Sequence, residues 1–252
     1  MIDLADQIVL VTGAGGGLGA AVARALAKAG GRVVLHDAVA DERLQALADD
    51  LGARAHAVSA DLADPAAAER LWEEALIWMG RIDVLVNNAG VYEPARVDDD
   101  LGAWTASWER TLAINLVSPA TLCRRAIRTF KEQEGGGIIV NVASRAAFRG
   151  ADPDYWHYAA SKAGIVAMTK TIARQYGRQG VTAFAIAPGF VDTPLNRPFV
   201  ERYGVEAAAR ETGLGEVARP EDIAGVIVFL ASGLARHATG ATIDVNGASY
   251  VR

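Results

Sequence analysis

Short apolar runs alternate with longer amphipathic segments along most of this chain. Residues 7–12 (QIVLVT) and 32–37 (RVVLHD) are apolar over most of their length, which is typical of strands buried on both faces. Between them, residues 18–30 carry apolar side chains at helical spacing and end at a glycine. This alternation predicts βαβ units, and therefore an α/β fold in which helices cover both faces of a parallel sheet.

The same alternation continues to the end of the chain. It predicts strands at 54–61, 82–90, 136–144, 181–189 and 242–247, and helices at 41–52, 65–80, 115–134, 157–178 and 220–232. About seven strands are thus expected in a doubly wound, Rossmann-type sheet. Because no repeat or linker divides residues 1–252, we expect a single domain. Residues 190–216 have weak periodicity and two prolines, and are expected to form a lid.

Charge and cysteine content limit the possible partners and setting. The chain has 25 Lys and Arg against 30 Asp and Glu, and this net charge of −5 disfavours broad binding to nucleic acids or anionic membranes. Cys123 is the only cysteine, so no intrachain disulfide is possible and a reducing cytoplasm is expected. The first residues lack the basic character of a signal peptide, and the 13-residue apolar run 223–235 is too short to span a bilayer. Four scattered histidines give no metal-ligand spacing, so no metal site is expected.

A glycine-rich turn, VTGAGGGLGAAVA at 11–23, joins the first expected strand to the first helix. Backbone N–H groups at a helix N-terminus favour an anion, and glycines let a pyrophosphate approach the backbone closely. Two motifs overlap in this turn, Gly15-x-Gly17-x-x-Ala20 and Thr12-Gly13-x-x-x-Gly17-x-Gly19. In its strand-turn-helix context, either motif predicts dinucleotide binding.

Asp37 ends the second expected strand, 18 residues beyond Gly19. A carboxylate at this place can accept hydrogen bonds from an adenosine ribose and would repel a 2′-phosphate. Its neighbours are His36 and Ala38, so no lysine or arginine stands beside it to bind that phosphate. Asp37 could instead cap the next helix, although Asp41 is better placed for capping. The cofactor expected from these residues is NAD rather than NADP.

The segment 152–164, DPDYWHYAASKAG, contains a tyrosine and a lysine four residues apart. On a helix Tyr158 and Lys162 share one face, whereas Tyr155 has Ala159 at that offset. An ammonium about 4 Å from a phenol, at an effective dielectric near 20, favours the phenolate by roughly 4 kcal/mol, or about three pKa units. Such a pair could transfer a proton as an alcohol becomes a carbonyl, but two polar residues on a wet helix face show the same spacing.

In combination and order, these motifs resemble those of the short-chain dehydrogenase/reductase family along almost the whole chain. The matches are the Thr12–Gly19 motif, Asp61 after the third strand, NNAG at 87–90, PGFVDT at 188–193, and the catalytic positions Asn115, Ser144, Tyr158 and Lys162. The resemblance implies that NAD is bound by Thr12, Gly13, Gly17, Leu18, Gly19, Asp37, Asp61, Leu62, Asn88, Ala89, Gly90, Tyr158, Lys162, Pro188, Gly189, Val191 and Thr193.

The resemblance also implies a role for each catalytic candidate. Tyr158 would be the acid/base, and Lys162 would in addition hold the nicotinamide ribose. Ser144 would hydrogen-bond the reacting oxygen. Asn115, where the expected helix 115–134 begins, would hold a water that connects Lys162 to solvent. Taken alone, Asn115 could be a helix N-cap and Ser144 a turn residue.

One departure from the family pattern affects the expected pocket. Ser144 and Tyr158 are 14 residues apart instead of the more usual 13, and the extra residue is expected in loop 148–156. His157 points about 100° around the helix from Tyr158 and is expected at the pocket rim or on the surface. An apolar pocket with a cationic edge is expected, unless its arginines are merely solvated; its candidates are Arg145, Phe148, Arg149, Trp156, Leu195 and Phe199.

The leading functional hypothesis is hydride transfer between NAD(H) and a secondary alcohol or ketone. One alternative is a 3-oxoacyl-[acyl-carrier-protein] reductase, which RPEDIA at 219–224 and VNG at 245–247 resemble. The docking positions of those reductases fall here at Glu134 and Gln179, which are not basic, although Arg124, Arg128 and Lys131 share a helix face. A catalytically silent NAD-binding sensor is the other alternative. The resemblance further implies a homotetramer, or a homodimer, packed through helices 115–134 and 157–178.

Overall fold

A computed structural model describes residues 2–252, with Met1 outside them, and contains one seven-stranded parallel sheet. The strands are β1 (Ile8–Thr12), β2 (Arg32–Asp37), β3 (Ala55–Ser59), β4 (Val84–Asn87), β5 (Gly137–Val142), β6 (Val181–Pro188) and β7 (Thr242–Val245). Their spatial order is β3-β2-β1-β4-β5-β6-β7, and each neighbouring pair is parallel. The strand order reverses between β1 and β4, and this is the place where a doubly wound sheet binds ligands. The expected α/β fold is therefore confirmed.

Ten α-helices lie between and beyond the strands of the described residues. They are α1 (Gly17–Lys28), α2 (Glu42–Leu51), α3 (Pro65–Met79), α4 (Leu101–Leu112), α5 (Ser118–Glu132), α6 (Ala146–Arg149), α7 (Trp156–Tyr176), α8 (Arg197–Tyr203), α9 (Val205–Arg210) and α10 (Pro220–Ala231). No helix among residues 2–252 combines the length and the apolar character that crossing a membrane requires.

Alternate residues of β1 pack on opposite faces of the sheet. Val9 and Val11 join a core cluster with α1 and α10, whereas Leu10 joins a second cluster with α3 and α5. All five residues of β1 are buried, which accounts for its continuous apolar run. The two clusters hold the helices on both faces and leave the carboxyl ends of the strands free for a site.

Local signals explain where several helices begin and end. Asp41 caps α2, because its side chain accepts hydrogen bonds from the backbone N–H groups of Arg43 and Leu44. The capping role considered for Asp41 is thus confirmed. Helix α3 begins at Pro65 after the capping residue Asp64 and ends at Gly80, whose φ of +73° suits glycine.

The prediction that a helix begins at residue 115 is wrong. The backbone is helical from Leu101 through α4, passes through a π-helical turn at Ala113–Val117, and continues as α5. Asp100 caps this run by accepting from the N–H groups of Gly102 and Ala103. Asn115 therefore lies inside a helical run, and its N-cap interpretation is also wrong. Single π-helical turns often occur at functional sites.

Residues 190–216 contain more secondary structure than their weak periodicity indicates. A 3₁₀ turn at Pro194–Asn196 leads into α8, and α9 follows after Gly204. An isolated parallel β-bridge joins Val191, shortly after β6, to Ala218, shortly after the segment. The remaining predicted helices and strands are present, with bounds that differ from expectation by at most three residues.

Candidate active site

A cleft at the carboxyl ends of β1, β2, β4, β5 and β6 brings together most of the residues singled out in the sequence. Of the expected catalytic residues, Ser144, Tyr158 and Lys162 line it, and Asn115 lies behind it. Thr12 is also buried behind the lining. The other expected cofactor-binding residues all line the cleft: Gly13, Gly17, Leu18, Gly19, Asp37, Asp61, Leu62, Asn88, Ala89, Gly90, Tyr158, Lys162, Pro188, Gly189, Val191 and Thr193.

The glycine turn forms a cradle that side chains would fill. Gly13 has a φ of +68°, which favours glycine, and a Cβ on Gly19 would lie 1.9 Å from the carbonyl oxygen of Gly13. The first turn of α1 thus packs directly against the end of β1. Its N-cap is Gly16, which has no side chain to occupy the N-terminal N–H groups. This open, positively polarised end fits a pyrophosphate.

Thr12 and Asn88 join the ends of β1 and β4. The Thr12 hydroxyl accepts from the backbone N–H groups of Asn88 and Ala89, each at 3.0 Å. The Asn88 Nδ2 donates to the carbonyl oxygens of Thr12 at 2.8 Å and Gly13 at 3.2 Å. Because Thr12 is only 1% exposed, it shapes the cleft from behind instead of facing a ligand.

Asp37 lies at the end of β2 beside the glycine cradle. One carboxylate oxygen accepts from the Gly15 N–H at 2.8 Å and the other from the Ala38 N–H at 2.7 Å. Asp37 thus lies against the glycine turn and lines the cleft. A Cβ on Gly15 would lie 2.5 Å from Oδ2, so the Asp37 side chain would have to move to admit one.

The structure places a basic group near Asp37, contrary to expectation. Arg43 lines the cleft, and its Nη1 is 3.9 Å from the position of a Cβ on Gly16. Its Nε and Nη2 donate to Asp41 at 2.8 and 2.6 Å. Arg43 was not found from the sequence because the chain must turn into α2 before this side chain can reach back to the cleft.

Tyr158 and Lys162 lie one turn apart on α7, as their spacing predicts. The Lys162 Nζ is 5.7 Å from the centre of the Tyr158 ring and donates to the Val142 carbonyl oxygen at 2.9 Å. Burial lowers the pKa of Lys162 to about 8. Burial also raises the pKa of Tyr158, and the nearby Ser144 hydroxyl opposes this shift.

The expected lowering of the Tyr158 pKa by Lys162 stays a prediction, and burial acts on this pKa in the opposite direction. Loss of hydration disfavours both the phenolate of Tyr158 and the ammonium of Lys162 in this cleft. The Lys162 ammonium is also turned toward the Val142 carbonyl.

Asn115 is positioned by the π-helical turn and is 1% exposed. Its Oδ1 accepts from the Val91 N–H at 2.9 Å, and its Nδ2 donates to the Val91 carbonyl at 3.0 Å. A Cβ on Gly90 would lie 3.2 Å from this Oδ1 and 3.5 Å from the Lys162 Nζ. Asn115 and Lys162 therefore lie on either side of Gly90, where a side chain would be a tight fit.

The two tyrosines of the segment have different surroundings. Tyr155 stacks on Tyr92, with ring centres 3.9 Å apart and planes 8° apart, and Tyr92 meets Tyr158 edge to face at 4.7 Å. Of these three tyrosines, Tyr158 and Tyr92 line the cleft and Tyr155 does not. The Ser144 hydroxyl accepts from the Ala146 N–H at 3.1 Å, so it also fulfils the turn role considered for it.

The prediction that His157 lies at the pocket rim or on the surface is wrong. Its side chain is 1% exposed, and its ring centre is 5.7 Å from that of Trp108 on α4. Burial lowers the pKa of His157, while the nearby Glu93 acts in the opposite direction. The helix α4, which was not predicted, covers this face of α7.

Arg145, Arg149 and Glu211 line one part of the cleft, which is called its substrate side below. The Arg145 Nη2 and the Arg149 Nη1 lie 2.6 and 3.2 Å from the same oxygen of Glu211. Glu211 was not found from the sequence, because it is 66 residues from Arg145 and no motif connects them. The guanidinium of Arg145 also lies over the Phe190 ring at 4.7 Å.

The other expected pocket residues divide into two groups. Leu195 and Phe199 line the cleft. Phe148 instead stacks on Tyr250 with ring centres 6.5 Å apart, and Trp156 is 51% exposed outside the lining, so these two assignments are wrong. Among the described residues, no three His, Cys, Asp or Glu side chains are grouped as a metal site would require.

Comparisons with known proteins agree with this arrangement. A family model described as enoyl-(acyl carrier protein) reductase matches residues 13–248. The chain is 38% identical over 245 residues to cis-4-hydroxycyclohexanecarboxylate dehydrogenase of Sinomonas cyclohexanicum, covering 96% of each protein. It also resembles a solved 3-ketoacyl-(acyl-carrier-protein) reductase from Brucella melitensis complexed with NADH, with 30% identity, a TM-score of 0.88 and complete coverage of both chains.

A further solved relative carries the phosphorylated cofactor. It is described as a putative NAD(P)-dependent gluconate 5-dehydrogenase from Beutenbergia cavernae with NADP bound at low occupancy. It is 35% identical with a TM-score of 0.88, and the match covers 98% of this chain and 97% of that one. The family model spans most of residues 1–252, and the glycine cradle and the Tyr158–Lys162 pair occur together in one cleft. The chain therefore belongs to the short-chain dehydrogenase/reductase family and is an oxidoreductase that uses a nicotinamide cofactor.

Proposed function

We propose that this protein interconverts a secondary alcohol and a ketone with NAD(H). The observation that carries the proposal is the position of Tyr158, which lines the cleft with Ser144 beside it and Lys162 one helical turn away. This group lies in the same cleft as a glycine cradle suited to a dinucleotide. A proton-transfer group and a cofactor site are the two parts that such a reaction needs.

The residues of the cleft fit a dinucleotide along its whole length. The N-terminus of α1 would hold the pyrophosphate, Asp37 the adenosine ribose, and Asp61 and Leu62 the adenine. Asn88, Ala89 and Gly90 would support the middle of the cofactor, and Pro188, Gly189, Val191 and Thr193 its nicotinamide end. A bound nicotinamide would supply the hydride acceptor for oxidation of the alcohol and, in its reduced form, the hydride donor for reduction of the ketone.

The side chains around Tyr158 would manage the proton. Tyr158 would take the hydroxyl proton during oxidation and return it during reduction. The Ser144 hydroxyl would donate a hydrogen bond to the reacting oxygen as negative charge develops there. Lys162, with its pKa lowered to about 8, is still largely an ammonium at pH 7 and would favour the phenolate. Asn115 would hold the backbone at Val91 and the water beside Lys162.

Asp37 supports a preference for NAD over NADP. Its carboxylate would repel a 2′-phosphate, whereas its oxygens can accept from ribose hydroxyls. Arg43 acts in the opposite direction, because its guanidinium lies close to the same end of the cradle. Two of its nitrogens are already bound by Asp41, which reduces its availability to a phosphate. We therefore propose NAD as the preferred cofactor.

A carrier-protein substrate has weaker support. The family model and a solved relative carry acyl-carrier-protein names. However, Glu134 and Gln179 stand where the basic docking residues are expected, and Arg124 is paired with Glu69 at 2.7 Å. A silent NAD-binding sensor has no support from the cleft, which Ser144, Tyr158 and Lys162 line and behind which Asn115 lies.

Three further proposals concern the domain and its lid, the oligomeric state and the cellular setting. Residues 1–252 would act as one domain in which segment 190–216 is the lid, since this segment covers the substrate side through Leu195, Phe199 and Glu211. Homotetramers would form through α5 and α7. The single, buried cysteine is consistent with a reducing cytoplasm.

A substrate panel tests the proposed function. The purified protein is incubated with NAD and a series of secondary alcohols, or with NADH and the matching ketones, while NADH absorbance is followed. Turnover of at least one pair in both directions is expected. Reaction only with a 3-oxoacyl carrier protein and NADPH would support the reductase alternative. NADH binding without turnover of any compound would support the sensor alternative.

A further inference from the structure

Arg145 is a charged side chain that is buried without full hydrogen bonding. It is 6% exposed and lines the substrate side of the cleft. Its Nη2 pairs with Glu211 at 2.6 Å, whereas its Nη1 has no hydrogen-bond partner among the described residues. Leaving a buried charged donor unsatisfied is costly, and such groups usually have a role that offsets the cost. The free nitrogen therefore indicates a missing acceptor in the cleft.

The position of Arg145 connects that acceptor to the reaction. Arg145 follows Ser144 directly, so their Cα atoms are about 3.8 Å apart. Arg145, Ser144 and Tyr158 all line this cleft, so one bound molecule can meet the three side chains together. The rings of Tyr92, Phe190 and Phe199 line the space around this point.

We propose that Arg145 binds a carboxylate of the substrate, so that the protein acts on hydroxycarboxylates and the corresponding oxocarboxylates with an apolar body. This inference rests on the proposed function and names its substrate class. The apolar body would lie among the aromatic rings, and the acid group would complete the hydrogen bonding of the buried guanidinium. A charge-assisted hydrogen bond of this kind is stronger than one to a neutral group.

The local charges limit how much negative charge a substrate can carry at this place. Two arginines share one oxygen of Glu211, so these three groups carry a net charge of +1. Asp152 also lines the cleft and adds negative charge near Arg145. With Asp152 included the four groups are neutral together, so a carboxylate would gain from the guanidinium of Arg145 itself, whereas a doubly charged phosphate would be repelled by Glu211 and Asp152. A neutral amide could use the free nitrogen but would gain less from the guanidinium charge.

Glu211 would then be a competitor for the same guanidinium. It comes from the end of α9 and is partly exposed, with 35% of its side chain accessible. Removal of its charge should leave both arginines more attractive to a carboxylate. Glu211→Gln is therefore expected to tighten carboxylate binding, whereas Arg145→Gln should weaken it.

Benzoate and benzamide provide a matched pair of probes for the binding test. The two have the same ring and nearly the same shape but differ in charge. Their dissociation constants would be measured by calorimetry on the NADH-loaded protein and on the protein alone. Benzoate is expected to bind about tenfold more tightly or better, and Arg145→Gln should remove most of that preference.

Controls separate binding from folding. Arg128→Gln removes an exposed arginine away from the cleft and should leave the preference unchanged. Arg145→Lys keeps the charge and should retain part of the preference. Thermal unfolding of each variant shows whether it is folded, and Glu211→Gln should raise benzoate affinity severalfold. Equal binding of the two probes, or a preference that survives Arg145→Gln, would overturn the carboxylate site.

Turnover separates this proposal from the proposed function. Hydroxycarboxylates are compared with their methyl esters in kcat/KM, and the free acids are expected to be favoured by about tenfold or more. Equal turnover of acids and esters would overturn the carboxylate site and leave the alcohol dehydrogenase intact. Discrimination between benzoate and benzamide without turnover of any alcohol would overturn the dehydrogenase and leave the carboxylate site intact.

Discussion

The two halves of the cleft are held in different ways. In the cofactor half, Thr12 and Asn88 bond to the backbone of neighbouring strands, and Asp37 bonds to the glycine turn. In the substrate half, Arg145 and Arg149 meet Glu211, which comes from a segment of short helices beyond β6. The first half depends on sheet pairing, and the second on charges that are distant in the sequence.

Because of this difference, substitutions in the two halves of the cleft should have different effects. A change in the cofactor half disturbs contacts between β1 and β4, whose register pairs Val11 with Val86. A change at Glu211 alters a partly exposed ion pair and leaves the sheet untouched. Substitutions in the first half should therefore affect stability and cofactor binding together, while those in the second should affect the choice of substrate.

The largest expected effect is that of Gly19→Ala in the cofactor half. The new Cβ would lie 1.9 Å from the Gly13 carbonyl oxygen, so α1 must move away from β1. We expect the free energy of unfolding to fall by about 3 kcal/mol and NADH binding to be lost. Urea unfolding and NADH fluorescence titration measure the two effects.

Gly225→Ala is the matched control for this prediction. Gly225 lies within α10, and a Cβ there would meet no atom within 4 Å. Alanine at this position should be neutral or stabilise by about 0.5–1 kcal/mol. If both substitutions had the same effect, close packing of the cradle would not be the reason for glycine at position 19.

Tyr158→Phe tests the junction of the two halves. It keeps the ring but removes the hydroxyl that would transfer the proton. We expect a folded protein that still binds NADH and has a kcat lowered by about a hundredfold or more. The wild-type kcat/KM for oxidation should rise with pH through one ionisation, and this step should be absent from the variant.

Tyr155→Phe is the comparison for that variant. The Tyr155 ring stacks on Tyr92 and lies outside the cleft lining, so most of the rate should remain and any change should appear in KM. An inactive Tyr155→Phe together with an active Tyr158→Phe would reverse the assignment of the acid/base.

Lys162→Met should stabilise the protein at neutral pH. Burial lowers the Lys162 pKa from 10.5 to about 8, so the folded state binds this proton less readily than the unfolded state. The penalty is complete below pH 8 and disappears as the pH rises toward 10.5. After allowance for the lost bond to Val142, methionine should add about 2 kcal/mol at pH 7.

Urea unfolding of both proteins at pH 7 and pH 10 measures this effect. The advantage of Lys162→Met should shrink at pH 10, and its cofactor binding should be weaker at both pH values. A variant that is less stable than the wild type at pH 7 would show that the Val142 contact outweighs the cost of burying the charge.

The smallest expected effect concerns the choice of cofactor. We expect kcat/KM with NAD to exceed that with NADP by about tenfold or more, and Asp37→Ala to reduce this ratio because the repulsive carboxylate is gone. Arg43→Gln should raise the ratio, since it removes the nearby positive charge. Equal or better use of NADP by the unaltered protein would contradict the assignment of NAD.

The sequence by itself determined those features that depend on neighbouring residues. Strands β1 and β2 could be predicted because strands buried on both faces are continuously apolar. The pairing of Tyr158 with Lys162 followed from the four-residue spacing on one helix, and the glycine turn from its place between strand and helix. Each of these signals acts over a few residues of chain.

Only the tertiary structure decided which distant residues meet. Asn115 came to lie in a π-helical turn because α4 precedes it, and the same helix buries His157 against Trp108. Arg145 met Glu211 because the segment after β6 returns over the cleft. Periodicity and spacing contain no information about contacts between distant residues. Such contacts depend on where the crossovers bring the chain back and on the free energy of burying charges together.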